Sequence, residues 1–187
     1  VSSFKIFMFY GSHGLHGASN SIICKEAGIS PGHLYYYFEN REALIHDVFA
    51  HWWRVGEGYL DALMTAPDAL SIYLDLIPPP PELVQPPANK GNMAFALDIL
   101  AEVGRNAGIA SVNKTHRRQF LAKLRQIVEA AKARGELVAG ADVETVVYAV
   151  DMIAAARDVN VAALRHDQAS YVLNTRKLLQ GLVKVPS

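Results

Sequence analysis

Residues 27–44 read AGISPGHLYYYFENREAL, and this stretch encodes a tight turn followed by a short helix. Gly28 can adopt the left-handed backbone conformation that ends a preceding helix. Ser30 is placed to cap the helix after the turn, with Pro31 at its first position, where a missing amide proton costs nothing. Upstream, Ser19 is placed to cap the preceding helix. Together these signals predict a helix-turn-helix.

The side chains of this segment divide into an inward and an outward set. Inward positions follow helical spacing, and the predicted core set is Ile22, Ile23, Ala27, Leu34 and Phe38. His33, Tyr36 and Tyr37 are left to face outward. A helix-turn-helix offers the N-terminal part of its second helix to the major groove of DNA, so outward residues here are candidate DNA contacts.

Apolar residues recur at helical spacing through most of the remaining chain. Asn40 is placed to cap a helix over 41–64, Thr65 to Asp68 resembles a capping box, and Asp142 can cap a later helix. The proline-rich stretch 78–92 predicts a rigid or extended connection. Further helices are predicted over 90–105, 113–134, 143–165 and 168–184. Residues 4–10 fit either a strand or a buried helix, and the predicted fold class is all-α.

The run from Ala27 to Leu44, with Tyr10 and Gly14-Leu15 before it, resembles the DNA-binding signature of the TetR family of repressors. The resemblance implies an N-terminal three-helix helix-turn-helix DNA-binding domain over 1–45. It also implies a larger C-terminal helical domain over 46–187 that binds a ligand and forms dimers.

Position by position, the resemblance implies a set of DNA contacts. His33 and Tyr36 would read bases or adjacent phosphates, while Tyr35 and Tyr37 would donate hydroxyl protons to the backbone. Arg41 stands where the family usually has a lysine that pairs with phosphate. The full predicted set is Ser19, Ser30, Pro31, Gly32, His33, Tyr35, Tyr36, Tyr37 and Arg41.

Charge is the main departure from this pattern. The chain has a formal net charge of +0, and its first 52 residues hold three basic and four acidic side chains. Asn20 and Cys24 also replace a usual aliphatic residue and a usual alanine. We expect that the first helix is truncated at Val1 and that a basic N-terminal arm precedes it in the whole protein.

For the C-terminal domain, the resemblance implies a mostly apolar ligand pocket and a homodimer. Candidate lining residues are Tyr59, Phe95, Phe120, Tyr148 and Met152. Helices 143–165 and 168–184 are the predicted dimer contacts, since the first is rich in small residues that let helices approach closely. The implied function is a repressor of double-stranded operator DNA that a small apolar or amphipathic effector releases. A helical small-molecule or lipid carrier without DNA function is the alternative.

Other function classes lack sequence support. No nucleophile-base pairing, phosphate loop or metal-ligand spacing is found, so no enzyme, catalytic residue or cofactor is predicted. His46 and His51 are five residues apart with Asp47 between them, and Asp47 and His51 could share a helix face as metal ligands, but exposed helical histidines without a cysteine partner disfavour this. The basic helix 113–136 could touch DNA or another anionic partner, although a solvated face is favoured. A single cysteine and no long apolar run predict a cytoplasmic protein without membrane contact.

Overall fold

The computed structural model describes residues 19–75, 90–164, 174 and 177–184. Within these ranges the chain forms α1 (Asn20–Ala27), α2 (Pro31–Tyr37), α3 (Arg41–Leu63), α4 (Ala69–Asp75), α5 (Lys90–Val103), α6 (Ala107–Ala133) and α7 (Val143–Leu164). The all-α prediction is confirmed. None of the described helices is long and apolar enough to cross a membrane. Residues 1–18, with the ambiguous segment 4–10, lie outside the described residues.

The helix-turn-helix forms through the predicted caps. The Ser19 side chain accepts a hydrogen bond from the Ile22 amide, and Gly28 ends α1 with a φ of 67°. Ser30 Oγ accepts from the His33 amide at 3.1 Å, and Pro31 opens α2. Such side-chain caps satisfy amides that have no partner within the helix. The turn was therefore predictable from residue type alone.

The predicted inward set is correct in part. Ile23 and Leu34 are buried, at 0% and 2% exposure, whereas Ile22 is 41% exposed and lies outside the core. Cys24 takes the inward position instead, with 4% exposure. The buried pair in α1 is therefore Ile23 and Cys24 rather than Ile22 and Ile23, a shift of the inward face by one residue. Phe38 is half-buried and ends α2 rather than lying beneath it.

Helix α3 begins where predicted, because the Asn40 side chain accepts from the Ala43 amide at 2.8 Å. Its inward stripe is buried and comprises Leu44, Val48, Phe49, Trp53, Leu60 and Leu63. The predicted capping box after α3 is wrong. Thr65 donates its hydroxyl proton back to the Ala62 carbonyl at 3.4 Å. The first turn of α4 starts three residues after Thr65, where the Asp68 carbonyl accepts from the Ile72 amide.

Helix α6 begins six residues before the predicted start at 113. Asn106 caps it, since its side-chain oxygen accepts from the Ile109 amide at 3.1 Å. Gly108 lies in this first turn, where an added Cβ would stand 2.7 Å from His46 Cε1. A side chain at this position would displace the His46 ring of α3, and the glycine weakens the helical pattern at the start of α6.

The described residues fall in two compact units. The first contains the described residues within 1–55 and 81–117, and its buried side chains include Phe49, Trp53, Ile99 and Ile109. The second comprises residues 56–80 and 118–187. Its core is built from leucine, isoleucine and valine of α3, α4, α6 and α7, among them Leu60, Leu70, Leu124, Val128, Val146 and Val150. The predicted functional boundary at residue 45 stays a prediction.

At the C-terminal end, Asp142 caps α7 as predicted and accepts from the Thr145 amide at 2.9 Å. The predicted helix over 168–184 is described only at 174 and 177–184, and its predicted end is wrong. Helical structure stops at Leu179, and Val183 pairs with Leu137 in an antiparallel bridge. The bridge uses backbone groups that a longer helix would have bonded internally, with Lys184 N donating to the Glu136 carbonyl at 2.7 Å.

Candidate nucleic-acid interface

The outward face of α2 consists almost entirely of aromatic side chains. Tyr36 is 81% exposed, and Tyr35 and Tyr37 are 51% and 52% exposed. His33 is exposed one turn before Tyr37. Large aromatic side chains left in water at a helix surface are candidates for contact with another molecule. A histidine adds groups that can donate and accept hydrogen bonds.

These rings contact one another. The centroids of His33 and Tyr37 lie 5.4 Å apart, and those of Tyr36 and Tyr37 lie 5.1 Å apart in an edge-on arrangement. Such distances fall in the favourable range for aromatic pairs. Tyr37 therefore joins the two side chains predicted to read bases, and Leu34 holds the same helix from its buried side.

The other predicted contact residues at the edges of this surface are also accessible. Ser19, Ser30, Pro31 and Gly32 are exposed, and Arg41 is half-buried. Ser19 Oγ caps α1 at 3.4 Å from the Ile22 amide and lies 2.9 Å from Ser21 Oγ. These positions are compatible with DNA contact, and each contact stays a prediction.

Asn20 is a residue that the sequence interpretation left without a role. Its amide nitrogen donates to the Tyr35 hydroxyl at 2.7 Å, and its amide oxygen accepts from Arg41 Nη1 at 3.3 Å. These partners are 15 and 21 residues away in sequence. The only sequence signal was a polar residue where an aliphatic one was expected. Asn20 thus brings two predicted phosphate contacts together.

The predicted ligand-lining residues have different environments. Tyr59 and Phe120 are partly buried and pack against the core of the second unit. Tyr148 and Met152 are 68% and 45% exposed on α7. The side chain of Phe95 lies outside the described residues, although its backbone belongs to α5.

Tyr59 carries a buried hydroxyl. Its oxygen has no hydrogen-bond partner among the described residues, and burial raises the pKa of Tyr59 to about 12. The phenol is therefore neutral at physiological pH and keeps its proton. It can donate a hydrogen bond to any acceptor that reaches it.

Among the described residues, the histidines do not converge with other metal-ligating side chains. No group of three or more His, Cys, Asp or Glu side chains that could hold a metal ion occurs in the part of the chain that the structure describes. Asp47 Oδ1 instead lies 3.7 Å from Nη2 of Arg54, which is two turns further along α3.

The environment of His51 predicts a pH-dependent stability. Burial first, and the Arg54 charge second, lower the pKa of His51 below 6.5, outweighing the opposite effect of Asp47. The unfolded chain therefore binds more protons than the fold below about pH 6.5, and stability falls with acidification through this window. When the pH is lowered from about 7.5 to below 6.5, we expect the melting temperature of His51→Gln to fall less than that of the wild type. Arg54→Gln should show a smaller difference from the wild type, and an unchanged pH profile in both variants would contradict the assignment.

Comparisons with known proteins agree with this architecture. Residues 7–48 match the family model of bacterial regulatory proteins, tetR family. No curated protein has a sequence that matches this chain.

Solved structures match over nearly the whole length. GusR of Salmonella enterica is 22% identical, with a TM-score of 0.66 over 97% of this chain and 95% of that one. A transcriptional regulator of Saccharomonospora viridis in complex with choline is 13% identical, with a TM-score of 0.77 over 97% and 95%. FadR of Bacillus subtilis in complex with stearoyl-CoA is 18% identical, with a TM-score of 0.68 over 99% and 97%. At these identities the likeness shows a shared fold.

Proposed function

We propose that this chain, which belongs to the TetR family of bacterial regulatory proteins through its N-terminal helix-turn-helix, is a repressor released from operator DNA by a small ligand. The observation that carries the proposal is the aromatic face of α2. His33, Tyr36 and Tyr37 form a contacting, exposed group on the helix that a helix-turn-helix places in the major groove. The protein would act in the cytoplasm, without catalysing a reaction.

Recognition would divide between base edges and phosphates. His33 and Tyr36 have polar atoms that suit base edges in the major groove, where each base pair presents a distinct set of donors and acceptors. Tyr35, Tyr37, Ser19 and Arg41 would contact phosphates, which sets the register of the protein on the duplex. The low positive charge of the described face means that few counterions would be released from it on binding.

The effector would bind in the second unit. Tyr59 and Phe120 provide aromatic surface there, and the neutral Tyr59 hydroxyl provides a single donor within apolar surroundings. This combination suits an apolar or amphipathic molecule with a hydrogen-bond acceptor. Choline and stearoyl-CoA, bound by two proteins of the same fold, show that this fold can hold unlike ligands.

Release would follow from a shift between two conformers. Helices α3 and α6 each have residues in both compact units. In the first unit the Asn106 amide donates to Glu42 Oε1 at 2.7 Å, which ties the start of α6 to the start of α3. A ligand that favours one position of these helices would change the spacing of the α2 helices in a dimer. The change in operator affinity cannot exceed the ligand's preference between the two conformers.

The dimer contact proposed for α7 gives a direct prediction. Tyr148 and Met152, which were predicted from the sequence to line the ligand pocket, lie one turn apart and expose apolar surface on this helix, so we assign them to the dimer contact instead. A charge at Tyr148 would be desolvated in a dimer, so Tyr148→Glu is expected to shift the protein from dimer to monomer and to weaken operator binding. Sedimentation at matched concentrations measures the shift. Gln119→Glu adds the same charge at an exposed position of α6 and should leave the dimer intact. A dimeric Tyr148→Glu protein would contradict the proposed interface.

Electrophoretic mobility shift tests the function itself. The wild-type protein selects a duplex from a randomised library, and its affinity for that duplex is compared with a scrambled duplex over a salt series. A preference that persists across the series supports a repressor. Equal affinity for both duplexes at every salt concentration would leave the alternative, a helical carrier of small molecules or lipids. Mass spectrometry of molecules released from the purified protein identifies the effector class in either case.

A further inference from the structure

We propose that Asn20 is a positioning residue that aims the Tyr35 hydroxyl proton and the Arg41 guanidinium at one DNA phosphate. This inference rests on the proposed operator binding. It assigns a role to a side chain that touches neither base nor phosphate in the recognition scheme above.

The geometry joins three helices through one amide group. Asn20 is the first residue of α1, Tyr35 lies in α2, and Arg41 is the first residue of α3. Asn20 Nδ2 donates to Tyr35 Oη at 2.7 Å, and Asn20 Oδ1 accepts from Arg41 Nη1 at 3.3 Å. The bond to Tyr35 is within the ordinary hydrogen-bond distance, and the bond to Arg41 is slightly longer. The arrangement therefore holds the phenol and the guanidinium on either side of Asn20.

The direction of each bond follows from the groups involved. A guanidinium can only donate, so the amide oxygen must face Arg41 and the amide nitrogen must face Tyr35. An amide nitrogen cannot accept, so the Tyr35 hydroxyl must be the acceptor. Its own proton then points away from Asn20. Since Tyr35 is 51% exposed, that proton is available to an outside acceptor.

A phosphate oxygen matches both groups. It is an anionic acceptor without a proton to donate, so it can take the Tyr35 proton and lie near the Arg41 charge at once. A hydroxyl that already accepts a hydrogen bond also becomes a stronger donor. An aliphatic side chain at position 20 could form neither bond. An aspartate would accept from both partners and turn the Tyr35 proton inward, away from DNA.

A double-mutant cycle measures this coupling on the duplex selected by the wild-type protein. Tyr35→Phe removes only the hydroxyl, and is expected to weaken binding about tenfold in the wild-type background. In the Asn20→Asp background the same change should cost less than about twofold, because the hydroxyl no longer donates outward. Asn20→Leu removes both bonds without adding charge. In this background Tyr35→Phe should weaken binding about threefold, compared with about tenfold in the wild-type background.

The matched control is the cycle between Asn20→Asp and Tyr36→Phe. Tyr36 has its ring against Tyr37, so its hydroxyl contribution should be the same in both backgrounds. Circular dichroism melts check that each variant is folded. An equal cost of Tyr35→Phe in all three backgrounds would overturn the role of Asn20 while leaving operator binding intact. Absence of any duplex preference in the wild-type protein would overturn both.

Discussion

His33→Ala is expected to weaken binding to the selected operator by about ten- to a hundredfold, the range for loss of one good base contact. His33 is exposed near the start of α2, and its ring centroid lies 5.4 Å from that of Tyr37. Removing the imidazole therefore deletes polar groups at the proposed DNA-contacting surface without opening a cavity. Affinity for a scrambled duplex should change much less, because phosphate contacts are retained.

Two measurements separate recognition from folding in this variant. The melting temperature should stay close to that of the wild type, and Gln119→Ala, at an exposed position of α6, should change neither affinity nor stability. Unfolding of His33→Ala would show that the side chain is structural. Equal losses on operator and scrambled duplexes would show that it contacts phosphate rather than bases.

Leu34→Ala is expected to lower the free energy of unfolding by about 2–5 kcal/mol, the range for buried leucine truncations. Leu34 is 2% exposed and is the buried residue of α2, so its removal leaves a cavity beneath the recognition helix. A helix of seven residues cannot persist without such packing. Operator binding should be lost together with the stability of the first unit.

The matched control is Leu100→Ala. Leu100 is 60% exposed on α5, in the same compact unit, so the same chemical change should alter the free energy of unfolding by less than about 0.5 kcal/mol. Denaturant titration of both variants gives the comparison. Equal destabilisation by the two changes would mean that Leu34 does not hold the recognition helix in place.

Local chemistry made much of the helix-turn-helix predictable. Ser19, Ser30 and Asn40 cap the helices at which they were placed, and Gly28 adopts the expected left-handed conformation. Each of these effects acts within three or four residues, so residue type and spacing carry the information. Helical periodicity likewise predicted the all-α fold and the start of α7 after Asp142.

Features that depend on distant neighbours were predicted poorly. The predicted start of α6 is six residues late because Gly108 weakens the helical pattern, and its close approach to His46 of α3 is visible only in the tertiary structure. The predicted helix through 184 ends at Leu179, since pairing between Val183 and Leu137 competes for its backbone groups. Periodicity along one segment carries no information about such partners.

The sequence by itself determined the turn, the caps and the outward tyrosines of residues 27–44, because those effects are short-ranged. The tertiary structure decided which polar groups meet. Only the packing of α1, α2 and α3 places Asn20 between Tyr35 and Arg41, residues 15 and 21 positions away. Hydrogen bonds over such separations depend on the relative placement of three helices, and each of these helices buries an apolar side chain, Ile23, Leu34 or Leu44, within the same unit.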